Sequence, residues 1–303
     1  MLLKTISRII SIIVFISQSN GVFACAEDAK SLQEGGRMKL DCYKMFTELP
    51  QRDGKPVYPD RFVVPDDKRS WKRAYLEYNP PYYRDHTVEA NTVPKGHKWA
   101  EPESKINVQN LDVEVFREFL AASNDEGIPR NPCGRTGIVG QGLLGKWGEN
   151  WAADPIITRY DPTTGKLMLL LIKRGDGGEW AIPGGMVNPE ETKLSMTAAR
   201  ELKEETGLDI KMDMATEVYE GIVDDSRNTD NSWIMTKAYH LHLNNDVSKE
   251  IDKKILCPMD VHEVKAIQWI LYDDDRLNHL FASHSKFIGH VMGLIKEKEI
   301  QPF

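Results

Sequence analysis

The sequence predicts an α/β fold in which strands and a few helices share one core. Apolar strand-like runs recur at residues 166–173, 180–183, 217–223, 233–243 and 266–272. Two segments, 194–206 and 283–298, carry helical periodicity instead. Hairpin-connected strands with so few helices favour a sandwich built on a mixed sheet over a doubly wound parallel sheet. No internal repeat is visible.

Taken in order, the chain begins with Lys4 and Arg8, then the apolar run 9–17 and the small-residue stretch Val22-Phe23-Ala24-Cys25-Ala26. Residues 1–26 read as a targeting segment of signal-peptide type. A mitochondrial presequence is the competing reading, because no acidic residue precedes Glu27. The run is about half the length of a membrane-spanning helix, and no other segment is apolar enough to cross a bilayer. Residues 27–130 are rich in proline, aromatic and charged residues and read as a smaller, loop-rich accessory domain, with Trp71, Tyr75 and Trp99 able to anchor it to a neighbour. After Asn131 the texture changes. Glycines lead into Ile156-Ile157, and Leu167-Met168-Leu169-Leu170-Leu171-Ile172 forms the apolar centre of a buried strand, so residues 131–303 form the second domain.

Composition limits the function classes. The 303 residues are 41% hydrophobic and 28% charged, as in ordinary globular proteins. The net charge of -7 and the lack of any dense basic run argue against a nucleic-acid partner. Small anionic substrates remain open if a metal ion or a few arginines reverse the sign locally. Cys42, Cys133 and Cys257 are widely spaced and fit neither a zinc pattern nor a disulfide framework, so they read as buried or free thiols. His240 and His242 alternate onto one strand face, which reads as surface rather than as a zinc site, and they stay unassigned.

Two motifs compete. Gly140-Gln141-Gly142-Leu143-Leu144-Gly145 matches the dinucleotide fingerprint by letter, but lacks a preceding strand, a helix opening at it and a downstream ribose-binding acid. It reads as a glycine loop. The stronger signal runs from Pro183-Gly184-Gly185 to Glu204-Glu205-Thr206-Gly207-Leu208. Glu201, Glu204 and Glu205 stand at i, i+3 and i+4, so a helix places their carboxylates on one face beside the stripe Leu194, Ala198 and Leu202. Clustered hard oxygens suit Mg2+ or Mn2+, with a backbone carbonyl of Gly185 as a further ligand. Gly207 suits a left-handed helix stop. A solvated helix face with an Arg200 to Glu204 pair would explain the hexapeptide alone; the glycine pair and the stop together favour chemistry.

These residues resemble the Nudix box, G-x5-E-x7-R-E-U-x-E-E-x-G-U, in which U is aliphatic. Counting forward from Gly185 puts the first glutamate at Glu191, and counting back from Arg200 puts it at Thr192, so the chain carries one extra residue there. Residues 131–137, 153–159, 178–183 and 224–231 extend the resemblance to the mitochondrial-type ADP-ribose pyrophosphatase family, which includes the sensor domain of the melastatin channel. The likeness runs from about Tyr58 to the end. It implies a Nudix α/β/α sandwich and metal-dependent hydrolysis of ADP-ribose to AMP and ribose 5-phosphate by a monomer. Glu201, Glu204 and Glu205 would hold the cation, and Arg200 would orient them. Asp225, Arg227, Phe281 and His284 would bind substrate, with Phe281 standing where relatives have tyrosine. The alternative is an ADP-ribose-binding module without hydrolysis; the three retained glutamates favour the enzyme.

Overall fold

The computed structural model describes residues 49–52, 54–92, 99–103 and 128–296. Residues 1–26 and Cys42 lie outside them. The N-terminal part contributes a short antiparallel pair, β1 (Gln51–Arg52) and β2 (Lys55–Pro56), then β3 (Tyr82–Arg84) and α1 (His86–Ala90). β3 runs parallel to β4 (Val139–Gly142). The main sheet is mixed, as expected. β5 (Gly148–Tyr160), β6 (Leu167–Arg174), β9 (Thr216–Ile222), β10 (Ser232–His242) and β11 (Val264–Leu271) lie in the order β11-β6-β5-β10-β9. β7 (Trp180–Ala181) pairs with β6, and β8 (Gly185–Met186) pairs with β5. β5 and β10 are parallel and the other pairings are antiparallel.

Side-chain alternation along β6 divides the core into two layers. Leu169 and Leu171 join Ile156, Phe287, Ile288 and Val291 under α4 (His284–Lys296). Leu170 faces the other way, joining Ala153, Ile157, Ala198 and Leu202 beneath α2 (Leu194–Thr206) and Ile251 from α3 (Asn245–Asp252). The helices therefore cover both sheet faces, and the fold is an α/β/α sandwich.

β5 spans thirteen residues, although local pattern marked only Ile156-Ile157 as apolar strand. Its segment Ala152-Ala153-Asp154-Pro155 has poor strand chemistry, and Pro155 cannot donate to a ladder. Pairing explains why it is tolerated. Along one edge, β8 pairs with Ala152 and Ala153 and β6 with residues 158–160, so 154–157 have no partner on that side. β6 and β8 part at this gap, and the gap sets Asp154 below the loop that precedes β8.

His240 and His242 are not on the surface: they are 1% and 6% exposed, and both ring nitrogens facing Thr158 lie 2.8 Å from its hydroxyl. β10 runs through the sheet interior, so its even-numbered face is covered. Cys133 is disulfide-bonded rather than a thiol, whereas Cys257 is free and exposed. The glycine segment at 140–145 is a short strand end with Gly140 and Gly142 at positive φ, and no helix opens from it.

The anchoring role expected of the N-terminal aromatics is visible. Trp71 Nε1 donates to the Asn131 carbonyl at 2.8 Å, and the Arg135 guanidinium sits 4.9 Å from the Trp71 ring and 5.3 Å from the Tyr78 ring. Tyr58 donates to the Arg227 carbonyl at 2.7 Å, while Arg61 donates to the carbonyls of Ser226 and Asn228 at 2.5 and 3.1 Å. These bonds fasten the loop between β9 and β10. Among the described residues, no helix is long and apolar enough to cross a membrane.

Candidate active site

α2 forms where its sequence places an apolar stripe: Ala198 and Leu202 are fully buried against the sheet. It stops at Gly207, whose φ of 77° is left-handed and whose N–H donates to the Lys203 carbonyl. At the other end, Lys193 gives no side-chain cap. Glu191 supplies the missing anchorage, accepting from Asn188 N and Thr197 Oγ1 at 2.8 Å each.

Arg200 then joins loop and helix. Its Nε donates to Glu191 Oε1, its Nη2 to the Met186 carbonyl, and its Nη1 to Glu201 Oε1 and Glu204 Oε2, all at 2.8 Å. Glu191, not Thr192, therefore occupies the position of the first glutamate. The extra residue is absorbed between Glu191 and the start of α2, where backbone can bulge without moving the helix.

The glycine pair lies against the same face. Gly184 N donates to Glu205 Oε2 at 2.8 Å, and a Cβ on Gly185 would run into Glu201 Oε1. Burial pushes the Glu201 carboxyl up to about 7, against the lowering effect of Arg200. Burial likewise pushes Glu205 up to about 8, against the Gly184 bond, with the negative charges of Glu201 and Glu263 adding to it. Among the described residues, no group of three or more histidine, cysteine or acidic side chains forms a ready-made cage. The reason is visible in the bonds: Arg200 draws Glu201 and Glu204 to itself, and Gly184 draws Glu205. The donor set nevertheless fits a hard divalent cation. Glu201 and Glu205, both part-buried with their carboxyls pushed up by burial, stand beside a glycine whose missing side chain leaves room for Glu201, and a cation would stabilise their charged forms.

Asp225 and Arg227, expected to bind substrate, form a bidentate pair. Arg227 Nε and Nη2 each donate to an Asp225 carboxylate oxygen at 2.8 Å. Burial alone would raise the Asp225 carboxyl, but the Arg227 guanidinium holds it below the usual carboxylate range. Phe281 and His284 lie edge to face at 5.7 Å. His284 is buried: its Nδ1 accepts from Ile182 N at 3.0 Å, and its Nε2 lies 3.9 Å from Asp154 Oδ1. Nδ1 is therefore the unprotonated nitrogen, and the ring acts as a pin between α4 and the β7 segment. Burial, then the charge of Arg174, lowers its pKa to about 3.

Three further residues at the site had no role assigned from the sequence. Asp154 accepts from Thr236 Oγ1 at 2.7 Å, and burial pushes it up to about 6. Arg174 places its guanidinium 4.0 Å from the centre of the Phe281 ring. Glu263, whose carbonyl accepts from Gly175 N at 2.7 Å just before β11, adds negative charge at Glu201 and Glu205. Only Asp154 carried a local signal, an acid inside an otherwise apolar run. Arg174 and Glu263 come from distant parts of the chain and look like ordinary surface charges until the sheet assembles.

A mixed sheet between helices, with a glycine loop and a glutamate-bearing helix tied together by one arginine, defines a class, and comparison bears it out. Residues 152–289 match the family model described as NUDIX domain, and residues 64–148 the one described as NUDT9-like, N-terminal domain. The chain belongs to the Nudix hydrolase family. It is 37% identical over 265 residues to the mitochondrial ADP-ribose pyrophosphatase of Rattus norvegicus, covering 76% of this chain and 72% of that protein. Nudix hydrolase 6 of Caenorhabditis elegans is 37% identical over 254 residues, 78% of this chain and 90% of that protein. The transient receptor potential cation channel subfamily M member 2 of Rattus norvegicus is 31% identical over 264 residues, 78% of this chain and 17% of the channel.

Proposed function

We propose that the protein hydrolyses the pyrophosphate bond of ADP-ribose to AMP and ribose 5-phosphate with Mg2+ or Mn2+. The observation that carries this reading is the Arg200-centred array of Glu191, Glu201 and Glu204, in a chain resembling a named ADP-ribose pyrophosphatase. Glu201, Glu204, Glu205 and the Gly185 carbonyl would hold the cation, which when bound neutralises phosphate charge and activates water. Arg200 keeps Glu201 and Glu204 oriented. Arg227, fixed by Asp225, presents its remaining Nη1 to a phosphate oxygen. Phe281 offers an apolar face to the nucleoside, and His284 holds the loop behind it.

The same resemblance to a channel supports a second reading, ADP-ribose binding without hydrolysis, but Glu201, Glu204 and Glu205 are all present and ordered by partners. The location named for the rat enzyme favours the mitochondrial reading of residues 1–26 over the secretory one. The test is incubation with ADP-ribose and magnesium, followed by chromatography of the products. The expected result is AMP with ribose 5-phosphate, abolished by chelator and by Glu204→Gln with Glu205→Gln. Intact ADP-ribose that raises the melting temperature would replace hydrolysis with the binding reading.

A further inference from the structure

We infer that Arg174 is a second anchor for the substrate's diphosphate, and that Asp176 occupies this anchor until substrate displaces it. The inference rests on the substrate reading above and deepens it. Three arginines stand at the site, and their partners distinguish them. Arg200 spends Nε, Nη1 and Nη2 on Glu191, Glu201, Glu204 and the Met186 carbonyl. Arg227 is bound to Asp225, whose side chain is 2% exposed. Separating that pair would leave a buried carboxylate uncompensated.

Arg174 is bound differently. Its Nε and Nη2 donate to the two Asp176 oxygens at 3.0 and 2.5 Å, but the Asp176 side chain is 57% exposed. An exposed pair of this kind contributes little and separates easily, because water receives the released carboxylate. Arg174 Nη1 makes no hydrogen bond to a described residue. The guanidinium carbon sits 4.0 Å from the centre of the Phe281 ring, and a stacked guanidinium keeps its N–H groups for partners at its rim.

Position supports exchange. Arg174 lies against Phe281, which itself meets His284 edge to face at 5.7 Å, so it stands on the site's side of the β6–β7 hairpin. Asp176 holds Arg174 directly, and its charge also favours the Arg227 guanidinium. A diphosphate bridging Arg174 and Arg227 would replace it there, since two phosphate oxygens meet a guanidinium in the same forked geometry as a carboxylate.

The experiment is calorimetric titration of the full chain with inorganic pyrophosphate, repeated for Arg174→Gln and Asp176→Asn, with thermal melts to confirm folding. Arg174→Gln is expected to weaken binding about tenfold, the loss of one charge-assisted fork. Asp176→Asn keeps an acceptor for Gly177 N, which now donates to Oδ1 at 2.8 Å, and is expected to tighten binding by removing the competitor. Unchanged affinity in Arg174→Gln, or unchanged or weaker affinity in Asp176→Asn, overturns the inference; should Arg174→Gln fail to fold, Asp176→Asn decides alone. Should the wild-type chain show this pattern yet leave ADP-ribose uncleaved, the proposed function falls and the anchor stands. Cleavage of ADP-ribose with pyrophosphate affinity indifferent to both substitutions gives the reverse.

Discussion

Gly185 shows how closely α2 is set against the loop before it. Glu201 Oε1 occupies the space a side chain at 185 would need, and that same oxygen accepts from Arg200 Nη1. Gly185→Ala therefore pushes Glu201 out of line without disturbing the buried stripe of Ala198 and Leu202. Because a misplacement of about 1 Å in a catalytic group can lower a rate about 100-fold, kcat for the proposed hydrolysis of ADP-ribose should fall by about that factor with little change in melting temperature. A variant that retains near-normal turnover would show that Glu201 has no fixed position to lose. The spacing of Glu201, Glu204 and Glu205 was legible from helical geometry. Their separate partners were not, because Arg200 and Gly184 compete for the carboxylates only once the loop folds back.

At the scale of the element, α2 is held at its two ends by unlike means. The N-terminal end relies on Glu191, which bonds Thr197 Oγ1 and Arg200, in place of a side-chain cap. The C-terminal end relies on Gly207 at a φ of 77°, with Cys257 and Met259 donating to the Thr206 and Glu204 carbonyls at 3.2 and 2.7 Å. A Cβ on Gly207 would also come within 3.0 Å of the Cys257 carbonyl oxygen. Gly207→Ala should destabilise the protein by about 1–2 kcal/mol from the left-handed conformation alone, measured as a lower urea midpoint. An unchanged midpoint would mean that the 257–259 segment does not depend on this helix end. The Gly207 stop was readable as a local signal, whereas the docking of 257–259 joins residues some fifty positions apart and left no trace in local pattern.

For the molecule as a whole, two buried polar groups set how its parts cohere. Tyr78 donates to Asp230 Oδ2 at 2.6 Å and accepts from Gly137 N at 3.0 Å, tying the N-terminal region to the loop that carries Arg227. Tyr78→Phe should lower stability by about 1.5–3 kcal/mol, the range for a hydrogen bond to a charged group. The whole transition should shift together in a melt; loss of only an early, separate phase would contradict the coupling. His240 is the second group. Burial, then the neighbouring His242, lowers its pKa from 6.5 to about 3, so the folded state disfavours the protonated ring. Its share of stability is complete above pH 6.5 and declines as the pH falls below that value. Asp154 and Asp230, both pushed up to about 6 by burial, act in the opposite sense over an overlapping range. The diagnostic is therefore a difference: His240→Gln should flatten the fall of melting temperature between about pH 6.5 and 4. Parallel curves for variant and wild type would remove His240 as a source of acid sensitivity.

The sequence by itself determined the two helices that matter, the apolar strands, the class of sheet and the glutamate-bearing box. Each of these is written in periodicity or in glycine positions within about twenty-five residues of one another. Only the tertiary structure decided the rest. It placed Ala152-Ala153-Asp154-Pro155 in a central strand, because parallel pairing with β10 outweighs poor strand chemistry. It buried His240 and His242, settled Glu191 as the partner of Arg200 and turned Arg174 toward Phe281. These outcomes depend on which distant groups are brought within a few ångströms, and hydrogen bonds, ion pairs and burial act only at that range.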